Sequence, residues 1–214
     1  MDMFYGIQKT TLVDYPNVIA ATLFTGGCNF RCPWCHNPDL VYPERLKNLV
    51  PLDEDDVLGF LARRRNQLEG VCITGGEPTL WGERLLTFLA RVKALGYRVK
   101  VDTNGSHPEW IEEALKKNVV DFFAMDIKNT FQEYAVTVGL RELDIHLLRR
   151  SIECIQQSGK DYLFRTTVLP GMDREIMRDF VLSLGVDLSH YVFQEYREPV
   201  RPARNGEERL LVSL

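Results

Sequence analysis

Val71-Cys72-Ile73-Thr74-Gly75-Gly76-Glu77-Pro78 reads as a short apolar strand that runs into two glycines, an acid and a proline. Five runs of the same kind surround it: Val18 to Phe24 before, and Tyr97 to Asp102, Phe122 to Ile127, Tyr162 to Val168 and Tyr191 to Glu195 after. Each is short and apolar, as strands buried on both faces of a parallel sheet tend to be. Between them, apolar residues recur at spacings of three and four, which places each set on one helical face. The sets are Val57/Phe60/Leu61, Leu85/Phe88/Leu89/Val92, Ile111/Ala114/Leu115, Leu148/Ile152/Ile155 and Ile176/Phe180/Leu184. Pro108 and Asp173 are suitable helix starts, and Gly96 and Gly159 suitable stops. The alternation argues for an α/β fold of parallel strands joined by crossover helices, in roughly six units.

The 214 residues suit one domain over 1–214, with a short N-terminal extension at 1–16 and a C-terminal tail from about 197 to 214. Hydrophobic usage of 45% and charged usage of 26% allow a sizeable core without disulfides. The net charge of −4 and pI near 5.6 leave no basic surplus to neutralise phosphates, which argues against nucleic acid as a partner. No basic region followed by an apolar run opens the chain, and no segment approaches about 18 apolar residues, so neither secretion nor membrane insertion is expected. Five cysteines, three of them within eight consecutive positions, make a poor disulfide framework and a good metal or redox cluster. A reducing cytoplasm is the expected location.

In sheets built this way, ligands sit beyond the carboxyl ends of the strands, and the chemistry-bearing stretches fall there. After the first strand, Thr25-Gly26-Gly27-Cys28-Asn29-Phe30-Arg31-Cys32-Pro33-Trp34-Cys35-His36-Asn37 sets three thiols with three and then two residues between them. Thiolates favour iron-sulfur clusters or zinc, and a closed zinc site wants a fourth ligand. His36 could supply it, in awkward geometry beside Cys35. A small zinc knuckle is the alternative, and no second Cys/His pair stands at finger spacing to support it. The following stretch, His36 to Leu52, carries Pro38, Pro43 and Pro51 and reads as a long irregular loop of the kind that is often functional.

At Gly75-Gly76-Glu77 the glycines let backbone approach a ligand closely, and Glu77 can accept a hydrogen bond from an ammonium group; a plain turn is the bland reading. Val101-Asp102-Thr103-Asn104-Gly105 and Ala124-Met125-Asp126-Ile127-Lys128 end the next two strands, where a tight turn and a strand-end ion pair are the bland readings. Arg165 could bind a carboxylate or cap a neighbouring acid. Gln194 carries less weight. Cys72, inside a strand, and Cys154, on an apolar helical stripe, read as small buried hydrophobes. His107, His146 and His190 read as solvent-facing or capping, and Arg197, Arg201 and Arg204 as part of a solvated tail.

The cysteine spacing, with Trp34 just before the third thiol, resembles the CxxxCxxC signature of the radical S-adenosylmethionine superfamily. The resemblance implies an incomplete (β/α)6 TIM-type barrel in which Cys28, Cys32 and Cys35 each hold one iron of a 4Fe-4S cluster. The fourth iron would chelate S-adenosylmethionine, so an electron reaches the sulfonium through direct contact and a 5′-deoxyadenosyl radical forms. By the same resemblance Trp34 lies against the adenine, Gly75, Gly76 and Glu77 match the GGE motif that binds the amino group of S-adenosylmethionine, and Asp102, Thr103, Asn104, Asp126 and Lys128 line that cofactor. Arg165 joins them as a carboxylate-binding candidate.

The run Gly6-Ile7-Gln8-Lys9-Thr10-Thr11-Leu12-Val13-Asp14-Tyr15-Pro16, together with the cysteine stretch through Pro38, resembles the anaerobic ribonucleoside-triphosphate reductase activating proteins. That resemblance implies hydrogen abstraction from a backbone glycine of a glycyl-radical enzyme, with flavodoxin or ferredoxin as electron donor. No cysteine lies between His36 and Val71, so a single cluster is expected. Pyruvate formate-lyase activase, a radical enzyme acting on a small molecule, and a non-catalytic zinc module are the alternatives.

Overall fold

The computed structural model describes residues 2–197; the tail arginines Arg201 and Arg204 lie outside the described residues. Strands β1 (Phe4–Thr11), β2 (Ala20–Thr25), β3 (Gly70–Gly75), β4 (Arg98–Thr103), β5 (Phe122–Asp126), β6 (Asp161–Val168) and β7 (Tyr191–Glu195) form one sheet in sequence order. From β2 to β7 every pairing is parallel, and β1 joins β2 antiparallel. Helices α1 (Pro38–Val41), α2 (Pro43–Leu46), α3 (Glu54–Arg64), α4 (Gly82–Ala94), α5 (Pro108–Lys116), α6 (Tyr134–Thr137), α7 (Ile145–Gln156) and α8 (Arg174–Ser183) fill the connections. The parallel strands are those that the alternation implied, and the sheet is consistent with the partial TIM-type barrel that the family resemblance implied.

Side-chain alternation along the strands divides the molecule in two. Leu23, Val71, Ile73, Val99, Val101, Phe123, Met125 and Phe164 are buried on one face, in the same core as Leu85, Leu89, Ile111, Leu148 and Ile152 of the helices. The alternate residues face the bore. Thr22, Cys72, Lys100 and Phe122 lie side by side in register, and two layers higher Asp126 pairs with Arg165. The helix side is uniformly apolar, while the inward face combines an apolar layer, with Ala20, Phe122, Ala124 and Leu163, and the polar and charged residues.

Three local differences separate structure from expectation. The extension before residue 17 contains β1, whose Phe4 is buried and meets Phe88 with ring centroids 4.7 Å apart. The stretch after the cysteines is not wholly irregular, because Pro38 and Pro43 each start a one-turn helix whose Leu40, Val41 and Leu46 are buried. On α8 the buried face is Met177 and Val181, while Ile176 is 59% exposed. Helix starts follow the reading: Pro108 opens α5, and Asp173 caps α8 by accepting from the N–H groups of Glu175 and Ile176. Gly96 and Gly159 take positive φ where two helical segments stop.

Candidate active site

A cavity of about 600 Å³ opens at the carboxyl ends of the parallel strands. Cys28, Cys32, Trp34 and Cys35 line it from the loop after β2, Gly75, Gly76 and Glu77 from the end of β3, and Asp102, Thr103 and Asn104 from β4. Asp126, Lys128 and Arg165 complete the wall from β5 and β6. The structure thus brings every sequence-derived site residue to one cavity, in the size range of small-molecule sites. Gln194 and Arg197 lie on its rim side, and Asp14, from the loop after β1, reaches it with Oδ2 accepting from the Thr22 hydroxyl.

The cysteine loop is pinned on several sides. Gly27 N–H donates to Leu40 O (2.7 Å), Glu77 N–H to Gly27 O (2.7 Å) and Arg31 N–H to Val138 O (2.8 Å). Trp34 Nε1 donates to Thr137 O at 3.1 Å and Trp81 Nε1 to Gly26 O at 2.9 Å. Asn104 Nδ2 donates to Asn29 Oδ1 (2.9 Å), while Asn29 Nδ2 donates to Ser106 Oγ (2.8 Å), tying the loop to the end of β4. The three thiols are unpaired by disulfide, and burial raises the pKa of each, Cys28 to about 12. Metal binding to such thiols would displace protons.

Among the described residues, no three His, Cys, Asp or Glu side chains form a group suited to a single metal ion. A zinc knuckle needs such convergence. Three thiols on one preformed loop beside a cavity do fit a polynuclear cluster in which each cysteine holds a different iron, the donor chemistry being that of iron-sulfur ligation.

Glu77 is buried, 1% exposed, and its carboxylate accepts four hydrogen bonds. Oε1 receives Thr79 N–H (3.2 Å), Thr79 Oγ1 (2.6 Å) and Thr103 Oγ1 (2.7 Å), and Oε2 receives Asn104 N–H (2.7 Å). Burial pushes its pKa up against these donors. The carboxylate thus joins the β3 and β4 loops. The glycines before it serve a similar purpose: a Cβ at Gly75 would come within 2.4 Å of Thr25 N, and one at Gly76 within 1.9 Å of Gly27 O. Their missing side chains admit the backbone of the cysteine loop, where the sequence suggested close approach of a ligand. His107, expected to face solvent or cap a helix, turns inward, with Nδ1 2.8 Å from Thr79 Oγ1.

A chain of charges of alternating sign runs round the wall. Lys100, buried on β4, pairs with Asp102 Oδ1 and lies 3.6 Å from Cys72 Sγ. Arg165 bridges two acids, with NH1 3.2 Å from Asp102 Oδ2 and Nε 2.9 Å from Asp126 Oδ1; Lys128 Nζ is 3.1 Å from Asp126 Oδ2. Burial opposes ionisation of Asp126, but Arg165 and Lys128 outweigh it and hold its pKa near 2. Asp102 is likewise lowered, by Arg165 and Lys100 against burial. Lys100 was not singled out in the sequence, although Val99-Lys100-Val101-Asp102 alternates with period two and could have marked a strand with one polar face.

Arg165→Met should therefore cost about 1–3 kcal/mol of stability at neutral pH, by removing the partner that two half-buried carboxylates share. Because the folded pKa of Asp126 is depressed, its contribution is present above the ordinary value of 3.8 and is lost as pH falls toward 2. Urea melts across pH 2–7 should show the gap between wild type and variant closing over that window; a pH-independent gap would contradict the assignment.

The fold and site define a partial α/β barrel that presents three thiols over a charged cavity. A family model for the radical SAM superfamily matches residues 22–184, and the chain belongs to that superfamily. Enzymes of this family use a 4Fe-4S cluster and S-adenosylmethionine. The chain is 32% identical over 195 residues to a protein of Methanocaldococcus jannaschii provisionally named a glycyl-radical enzyme activating enzyme, covering 89% of this chain and 78% of the relative. It is 33% identical over 133 residues to the pyruvate formate-lyase-activating enzyme of Clostridium pasteurianum, covering 60% of this chain and 53% of that enzyme. Among solved structures, native anSMEcpe with bound AdoMet superposes with a TM-score of 0.62 at 16% identity over 81% of this chain and 50% of that one, a likeness of fold. No helix among the described residues is long and apolar enough to cross a membrane.

Proposed function

We propose that this chain is a glycyl-radical enzyme activating enzyme whose partner is an anaerobic ribonucleoside-triphosphate reductase. The supporting observation is that the thiol loop and the GGE, DTNG and MDIK stretches share one cavity wall, in a chain akin to activating enzymes over most of its length. When bound, the cluster and S-adenosylmethionine supply one-electron cleavage to methionine and a 5′-deoxyadenosyl radical, which takes a hydrogen atom from a glycine of the partner.

The chain's own residues position and shield. Cys28, Cys32 and Cys35 ligate the cluster. Asp102, Asp126, Lys128 and Arg165 present fixed charges to the polar groups of S-adenosylmethionine, and Trp34 presents a ring to its adenine. Thr103 and Asn104, tied to Glu77, keep the β3 and β4 ends together beneath it. Flavodoxin or ferredoxin is the proposed electron donor and the cytoplasm the proposed location. The test is to incubate the reduced, reconstituted protein and S-adenosylmethionine with a candidate reductase and look for a glycyl radical by electron paramagnetic resonance. A radical on the reductase supports the pairing; one appearing only on pyruvate formate-lyase would reassign the partner, and 5′-deoxyadenosine stimulated by a small metabolite would point away from activases altogether.

A further inference from the structure

Lys128 lies two residues beyond β5 and is buried, 9% exposed. Its ammonium sits 4.9 Å from the centre of the Trp34 ring and 3.1 Å from Asp126 Oδ2. The main chain beneath it is fixed, because Lys128 N–H donates to the Tyr134 hydroxyl (3.1 Å), which donates to Asp126 O (3.1 Å). Trp34 separates Cys32 from Cys35 in the sequence and is itself anchored to Thr137 O. The ammonium is thus stacked on a ring of the cysteine loop itself, one residue before Cys35, and paired with a carboxylate.

A cluster that gains an electron becomes more negative, and a cation held nearby in a poorly screened setting favours that state. We propose that Lys128 raises the reduction potential of the cluster, held against the cysteine loop by its cation–π contact with Trp34. This rests on the reading that Cys28, Cys32 and Cys35 hold a 4Fe-4S cluster. One electron enters from an external low-potential donor; no bond forms at Lys128, which stays an ammonium throughout.

The test is an anaerobic redox titration of reconstituted wild type, Lys128→Met, Lys128→Arg and Asp126→Asn without S-adenosylmethionine, read from the resonance of the reduced cluster, with iron and sulfide measured on each. Lys128→Met should make reduction about tenfold less favourable, a midpoint about 59 mV more negative for a one-electron couple. Lys128→Arg should stay near wild type, and Asp126→Asn should move positive, because it removes the carboxylate that offsets the cation. An unchanged or more positive midpoint in Lys128→Met would overturn the proposal. If that variant assembles no cluster, Asp126→Asn decides, and an unchanged or more negative midpoint counts against it. Failure of the wild type to assemble a cluster would instead remove the functional reading on which this rests.

Discussion

Cys32→Ala is expected to keep the fold and lose the cluster. Cys32 is only partly buried, so truncation should cost little, within about 1 kcal/mol, in the metal-free protein. The surrounding loop is held by other contacts, chiefly those of Gly27, Asn29, Arg31 and Trp34. Iron ligation has no such redundancy. Three thiolates are needed to leave one iron open for S-adenosylmethionine, and a loop with two of them should lose at least about a hundredfold in activity, more than the usual effect of altering a group behind a ligand. Circular dichroism and iron–sulfide analysis of the same preparation check both halves: a near-native spectrum with little bound iron is the expected pair. Full iron and sulfide in the variant would mean that Cys32 is not a ligand.

Gly76→Ala should do more harm than any other single methyl added near the cavity. The new Cβ would lie 1.9 Å from Gly27 O and 2.7 Å from Gly27 C, against backbone that is itself the acceptor for Glu77 N–H. Neither side can swing away as a flexible side chain could. The β3 end must part from the cysteine loop, which breaks the Glu77–Gly27 bond and displaces Cys28, one residue on. Overpacking of this kind costs about 1–3 kcal/mol, and the greater effect should fall on cluster retention because the thiol spacing is disturbed. Gly59→Ala, on α3 with only the flexible end of Arg63 nearby, is the control and should be neutral or stabilising by about 0.5–1 kcal/mol. A melting midpoint and iron content for Gly76→Ala equal to those of Gly59→Ala would contradict the close approach of the two loops.

Much of this arrangement was legible in the sequence, for reasons that differ by element. The six parallel strands declare themselves as short apolar runs, and the helices α3, α4, α5 and α7 because burial on one face repeats every three to four residues. The cavity followed from the same source, since strand-end motifs in a parallel sheet must converge. β1 was hidden by its composition: Gly6, Gln8 and Lys9 break any apolar run, as suits an edge strand with only its ends buried. On α8 the sequence offers two overlapping stripes, and only packing decides that Met177 and Val181 turn inward. The role of Glu77 was obscured for another reason. Its partners Thr79, Thr103 and Asn104 come together only through the register of β3 and β4, and a motif read alone cannot show that its carboxylate also ties those two loops together.

The most direct test of the account is to reconstitute the protein anaerobically with iron and sulfide, reduce it, add S-adenosylmethionine and quantify 5′-deoxyadenosine beside Cys32→Ala. The prediction is product from the wild type and none from the variant. Tight zinc in place of a cluster, with no 5′-deoxyadenosine from either protein, would contradict it.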